Sequence, residues 1–393
     1  MEYVVIAHRV FDGAKMQRRP TAIGIADGNI VFVGPQEALG SRWSEARRLQ
    51  CPADATVLPG LVDLNMKLVR WRRPVSMGWV DETLVDTMLR CQTNLARLLS
   101  QGCTYVRDLA ASHQLNVQLR DAIAAGRLAG PTINAAGMPI AAAGRAAKSY
   151  PVRPSRSVDE ARGHARALLA EGVDTISVAV TSGAATDGWQ QLTEAEVAAV
   201  TDEAHRAGKQ VAAVCIGADG VRAAVRAGVD SIEHGVSIDD ATLEQMARQS
   251  TALVPTLRLL ERFGSRPADY GVPANAIAKM PRLYRNALDT VSRAARTGVT
   301  IATGTDRHID ESIQDELEEL TAAGLSVEAA LRSCTSAAGR VLGQAEKIGR
   351  IAPGARADLI LVGGDPTANL DTLRTPLWVM ASGAMVHEEG GAR

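Results

Sequence analysis

The sequence predicts an α/β protein, a (β/α)8 barrel with a small β-sandwich domain formed by the N- and C-terminal segments. Three observations lead there. Short strand-like runs broken by turn residues occupy both ends of the chain, eight apolar strand-like runs fill its middle, and amphipathic helical segments separate most of those eight.

The N-terminal runs are YVVIAHRVFDG, TAIGIADGNIVFVGP and RRLQCPADATVLPG, with Pro, Gly and Asp-Gly where hairpins need them. The same texture returns in ARADLILVGGDP and PLWVMASGAMVHE, so the two ends are expected to pair as one sandwich. Between them the strand candidates are GLVDLNMKL, CTYVRDLA, TINAAGMPI, DTISVAVT, QVAAVCIG, DSIEHG, ALVPTL and TIATGTD. Segments such as VDEARGHARALLAEG and TEAEVAAVTDEAHRAG read as the intervening helices. Repeated strand–helix units imply a parallel sheet, and eight of them a closed barrel. The expected division is 1–56 for the first part of the sandwich, 57–344 for the barrel and 345–393 for the second part. Chemistry in such barrels sits at the C-terminal ends of the strands, and that rule ranks the polar residues.

Composition narrows the class. The chain has 393 residues, 46% hydrophobic and 22% charged, with a formal net charge of -1. Near-neutral charge gives no electrostatic reason to expect nucleic acid or an anionic membrane as partner. No apolar run reaches the roughly 18–20 residues of a membrane helix, and MEYVVIAHRVFDG lacks a signal-peptide pattern. Five scattered cysteines without CxxC spacing argue against a disulfide framework or zinc ribbon, and a reducing cytoplasm fits best.

The motifs LPGLVD, VRD, DEAHRAGKQV, AGVDSIEHG, LVPTL, GTD and GRIAPGARADLILVGGDP, in this order, resemble the metal-dependent amidohydrolase superfamily. Within it, the chain looks similar to the branch of imidazolonepropionases and Xaa-Pro dipeptidases. The resemblance implies a TIM barrel flanked by the sandwich, and hydrolysis of amide, lactam or ester bonds by one or two divalent metals. It also implies metal ligands: His-x-His after strand 1, a carboxylated lysine on strand 4, histidines on strands 5 and 6, and an aspartate after strand 8. The matching positions here are Asn65 and Lys67, Ser177, Val214, His234 and Asp306. Only the last two keep the ligand type. Val214 has no donor atom, Ser177 cannot form a carbamate, and a protonated Lys67 would repel a cation, so no native metal and no cofactor are expected.

The catalytic candidates are therefore Lys67, His234 and Asp306. Lys67 brings back part of the positive charge of a lost dication, as a general base, an imine-forming nucleophile or an ion-pair partner of Asp306 that only stabilises an emptied pocket. Asp306 matches the aspartate that shuttles protons in the related enzymes; the plainer role is capping the next segment. Among seven histidines only His113, His234 and His308 follow barrel strands, and a lone histidine is often purely structural. Asn65 and Ser177 are candidates to bind substrate or an oxyanion, or are simply small polar residues filling vacated positions. Farther out, Arg145, Lys148 and Tyr150 after strand 3 could clasp a carboxylate or be solvated loop groups. Trp71, Trp79 and Trp189 could wall an apolar pocket or a subunit interface, and His113 and His308 are placed at the mouth. Arg107-Asp108 reads as scaffolding.

Two classes of function follow. One is a metal-independent enzyme acting on a small organic molecule by acid/base catalysis: cyclisation, isomerisation, elimination, condensation or metal-free hydrolysis. The Ala/Arg-rich composition points to a GC-rich genome, where secondary metabolism is a reasonable setting. The other is a non-catalytic ligand-binding pseudoenzyme, and a degenerate metallohydrolase is a third reading. The expected partner is a small-molecule substrate, with no nucleic acid and no membrane; homo-oligomerisation stays open.

Overall fold

The computed structural model describes residues 2–69, 83–144, 152–184, 188–306 and 311–389. Seven short strands come first: β1 (Tyr3–Ala7), β2 (Arg9–Phe11), β3 (Met16–Gln17), β4 (Thr21–Ala26), β5 (Asn29–Gly34), β6 (Arg47–Gln50) and β7 (Thr56–Pro59). The barrel region holds β8 (Leu61–Met66), β9 (Cys103–Asp108), β10 (Thr132–Ala135), β11 (Ile140–Ala142), β12 (Arg153–Ser155), β13 (Thr175–Ala179), β14 (Gln210–Cys215), β15 (Ser231–His234) and β16 (Ala252–Val254). The end of the chain adds β17 (Leu359–Val362), β18 (Trp378–Ala381) and β19 (Ala384–Glu388).

The two ends meet as the sequence predicts. One sheet runs β5-β4-β1-β6 and the other β19-β18-β17-β7-β2-β3, with Leu359–Val362 antiparallel to Thr56–Pro59. Alternation sorts the side chains. Val5, Ile23 and Ile25 of the first sheet face Val57, Leu359 and Leu361 of the second, while Leu58 and Ile360 turn the other way into the barrel's core. Strands β7 and β17 at the centre of the second sheet are thus buried on both faces.

In the barrel, β8, β9 and β10 pair in parallel, as do β11, β13, β14, β15 and β16. The eighth predicted strand, TIATGTD, registers only as a parallel bridge between Leu253 and Ile301. Its backbone still reaches both neighbours. Ala302 N donates to Leu253 O at 3.0 Å, Leu64 N to Thr303 O at 2.9 Å and Asp306 N to Asn65 O at 2.7 Å. Gly304 lies where a Cβ would strike Asn65 and Val254, so only glycine lets the segment sit this close.

Twelve helices cover or flank the strands among the described residues: α1 (Leu84–Ser100), α2 (Leu115–Ala124), α3 (Val158–Ala170), α4 (Glu194–Arg206), α5 (Ala218–Arg226), α6 (Asp240–Gln249), α7 (Leu257–Ser265), α8 (Ala274–Ile277), α9 (Met280–Thr297), α10 (Ile313–Ala322), α11 (Val327–Ser333) and α12 (Ser336–Val341). None of them is long and apolar enough to cross a membrane. Ile176 and Val178 of β13 pack outward with Leu168 of α3 and with Val197 and Val200 of α4, which leaves Thr175, Ser177 and Ala179 facing inward. Cys215 joins the same outer core, so its neighbour Val214 faces in.

Helices α3 and α4 are also joined by Glu203, which accepts from Arg162 Nη1 at 2.7 Å and from Arg166 Nε and Nη2 at 3.0 Å. The hydrogen bonds from Arg166 and Arg162 lower its carboxyl from 4.5 to about 2. A carboxyl lowered on folding contributes stability above its unfolded value, and that contribution is lost as pH falls from about 4.5 toward about 2. Glu203→Gln should therefore flatten the acid limb. Urea midpoints compared near pH 7 and near pH 3 should fall less in the variant than in the wild type, and equal falls would refute the linkage.

Candidate active site

Residues at the C-terminal end of β8 point alternately inward, and Asp63, Asn65 and Lys67 form that inward row. Asp63 is fully buried and ties the first strand to the eighth. Its Oδ1 accepts from Asn65 N and Thr305 N, both at 3.1 Å, and its Oδ2 from the Thr305 hydroxyl at 2.6 Å. Those bonds place Asp306 opposite Lys67. Lys67 Nζ donates to Asp306 Oδ1 at 2.5 Å, with the two side chains 18% and 6% exposed. A longer contact, 3.5 Å, runs from Lys67 Nζ to Asn65 Oδ1.

The orientation of Asn65 follows from the residue beneath it. Asn65 Nδ2 donates to Glu233 Oε2 at 2.9 Å, so the amide oxygen turns to Lys67. Glu233 Oε1 accepts from Arg107 Nη2 at 2.6 Å and from the Ser231 hydroxyl at 2.7 Å. Arg107 is completed by Leu64 O at 2.7 Å and Ser231 Oγ at 3.1 Å. The result is one continuous chain, Arg107–Glu233–Asn65–Lys67–Asp306, with a buried cation at its base and a partly exposed ion pair at its mouth. Burial raises the Glu233 carboxyl above its ordinary range, opposed by Arg107, Ser231, Asn65 and Lys67.

Asp108 braces the same end of the barrel. It accepts from Leu68 N at 2.9 Å, Ala110 N at 3.1 Å and Asn116 Nδ2 at 3.1 Å. Burial pushes its carboxyl up to about 6 against those bonds and the charge of Lys67. His234 ends β15, with Nδ1 2.6 Å from the Thr256 hydroxyl. Three residues here take left-handed backbone: His234 (φ 71°), Thr256 (φ 50°) and Asp306 (φ 42°). Such conformations cost energy in non-glycine residues and persist where surroundings enforce them, often at functional sites. Glu316 supplies part of that enforcement: it is fully buried, its oxygens accept from Leu257 N and Arg258 N, and burial raises its carboxyl well above the carboxylate range.

Of the residues picked from sequence, Lys67, Asp306 and Asn65 are in direct contact, and His234 is the chain neighbour of the carboxylate that holds Asn65. Ser177 lies on the inward face of β13, 1% exposed, and its hydroxyl has no hydrogen-bond partner among the described residues. Trp189 is 49% exposed and His113 is exposed on a short turn after β9. Trp71, Trp79, Arg145, Lys148, Tyr150 and His308 lie outside the described residues. Sequence reasoning missed Glu233, Thr256 and Glu316. Strict alternation from an inward His234 sends Glu233 outward, and it is the positive φ of His234 that lets both serve the interior.

The sequence profile of the amidohydrolase family matches residues 56–386. Ochratoxinase of Aspergillus niger is 26% identical over 95% of this chain and 83% of its own length. An uncharacterised protein of Mycobacterium tuberculosis is 34% identical over 47% of this chain and 50% of its own length. Among solved structures, a Xaa-Pro dipeptidase with methionine bound in its active site superposes with a TM-score of 0.88 at 28% identity, over 99% of this chain and all of that one. The A. niger ochratoxinase structure, at 23% identity, shares the fold with a TM-score of 0.88 over 99% of this chain and 96% of its own. These likenesses bear out the TIM barrel with its small domain. On the family match over most of its length, this chain belongs to the amidohydrolase family.

Proposed function

We propose that this chain is a metal-independent enzyme that hydrolyses an amide or ester bond in a small molecule, using Lys67, Asp306 and His234. The observation that carries the reading is the 2.5 Å contact between Lys67 Nζ and Asp306 Oδ1 at the mouth of the barrel. Members of the family are metal-dependent, so the donor set has to be weighed against a divalent ion. Asp306 and His234 suit one. Val214 offers no donor, Ser177 only a neutral hydroxyl, and the Lys67 ammonium lies against the very carboxylate oxygen a dication would need. No group of three or more His, Cys, Asp or Glu among the described residues is arranged to hold a metal ion. This set fits a metal poorly, and no step below is routed through one.

The chain's own groups supply the elements of hydrolysis. Lys67 donates to the carbonyl oxygen as negative charge develops there. Asp306 or His234 accepts a proton from water as its oxygen bonds to the carbonyl carbon, then returns it to the leaving group as the bond to carbon breaks. The similarity to ochratoxinase and to a Xaa-Pro dipeptidase supports hydrolysis over the other reactions open to such a site, and makes ochratoxin and Xaa-Pro dipeptides the first substrates to try.

Purified protein should hold much less than one equivalent of zinc, manganese or iron. Its hydrolysis of ochratoxin or Xaa-Pro dipeptides should survive chelator treatment and fall by about 10²-fold or more in Asp306→Asn. A full equivalent of tightly held metal, with activity that leaves and returns with it, would sink the proposal.

A further inference from the structure

At its open end the lumen of the barrel has two unlike sides. The first, sixth and eighth strands make it polar, with Asn65, Lys67, Glu233 and Asp306. The second to fifth strands make it apolar. Val211, Ala213 and Cys215 of β14 pack into the outer core, so Ala212 and Val214 face the lumen. Ala212 is fully buried there, in a small cluster of its own with Leu109 after β9 and Ala136 after β10. Ala179, at the end of β13, pairs in register with Val214 and points the same way. Ser177 lies a step deeper than Ala179 and is 1% exposed.

Val214 differs from these neighbours in being only half-buried. Its backbone is not the exposed part. Strand β14 is hydrogen-bonded in parallel to β13 on one side and to β15 on the other, and Val214 O accepts from Val180 N at 3.1 Å. The exposure therefore belongs to the isopropyl group, which opens into the lumen. Its register partner on β15 is Glu233, which holds Asn65 at 2.9 Å beside Lys67. In a barrel of eight, the first and fifth strands stand opposite each other, so Lys67 and Val214 face one another across the mouth.

An ammonium–carboxylate pair suits a carbonyl and its departing group. A solvent-open valine beside alanines has nothing to offer water, and covering it with an alkyl or aryl group is favourable. We infer that Val214, with Ala179 beside it, determines specificity by taking an apolar group of the substrate across the mouth from the Lys67–Asp306 pair. The substrate class is then an amide or ester with an alkyl or aryl acyl group. Placing the carbonyl at Lys67 rests on the function proposed above; the apolar wall rests on the packing of β13 and β14 alone.

The test uses the full chain and simple amides, and it needs no turnover. Butanamide and hexanamide are titrated by saturation-transfer NMR into wild type and Val214→Thr. In wild type each added CH2 should tighten binding about fourfold, which makes hexanamide about tenfold or more the better ligand. Threonine keeps the shape of valine but puts a hydroxyl under the bound chain, so hexanamide should weaken about fivefold or more. Should Val214→Thr fail to fold, Val214→Ala draws the wall back and should also weaken hexanamide, by about fourfold or more. Equal affinity for the two amides in wild type, or no binding of either, overturns the inference. So does a chain-length step that the Val214 variants leave unchanged, which would put the binding elsewhere, such as on the exposed Leu84, Val85 and Leu89 of α1. A step that depends on Val214, in a protein that hydrolyses neither ochratoxin nor any Xaa-Pro dipeptide, would defeat the proposed activity and leave the apolar wall standing.

Discussion

Arg107→Met is expected to destabilise the fold by about 3–5 kcal/mol, the usual cost of stripping a buried ion pair of one partner. Arg107 is 1% exposed and Glu233 is fully buried, and the guanidinium also satisfies Leu64 O and Ser231 Oγ. Methionine fills much of the volume but leaves Glu233 without its counter-charge in the middle of the barrel. That carboxyl would then be protonated in the folded state, with its value raised further above the unfolded one. A carboxyl raised on folding binds its proton more readily when native, so the stability deficit should grow as pH rises above about 4.5. Urea midpoints at two pH values measure both effects. The double variant Arg107→Met/Glu233→Met removes both charges, and it should recover a large part of the loss because paired apolar replacements are often close to neutral. A double variant as unstable as the single one would mean that packing, and not the uncompensated charge, sets the cost.

Lys67→Met should lower turnover by about 10²–10³-fold, the range associated with loss of one donor to a developing oxyanion, on any substrate the chelator-treated protein hydrolyses. The side chain is 18% exposed and lies above the buried Arg107–Glu233 pair, so the fold should survive. Asp306→Asn should cost a similar factor, and the double variant little more, because groups acting as one unit are not additive. Independent, multiplying losses would separate Lys67 from Asp306 in function despite their contact. Unchanged turnover in Lys67→Met would reduce the pair to a structural ion bridge.

Most of the fold was legible because strands buried on both faces announce themselves as short apolar runs between turn residues. Two places were read less well, for local reasons. TINAAGMPI forms two strands, since Gly137 (φ 67°) and Pro139 interrupt it. TIATGTD looks like any other barrel strand in sequence, yet the clamp of Asp63 on Thr305 does part of the work a ladder would do. In the site, the pairing of Lys67 with Asp306 could be anticipated because both end barrel strands, and strand periodicity carries them to the same interior. Thr256 and Glu316 could not be found this way. Their link is a backbone clamp between helices far apart in sequence, and nothing in LVPTL or QDELEEL signals which N–H groups a carboxyl will meet.

The second sheet of the small domain has a consequence for how the chain is made. Its strand β7 finds its partner β17 only in Leu359–Val362, some 300 residues later. At a translation rate of about 5–20 residues per second, that is roughly 15–60 s during which the edge of β7 is exposed on the ribosome. Val57 and Leu58, buried in the finished protein, wait through that interval beside unpaired backbone. The barrel strand β8 follows after Gly60 alone, so the earliest core of the barrel grows from a sheet that is still half built. Synthesis speed and chaperone supply should therefore limit the yield of soluble protein more than the stability of the completed fold.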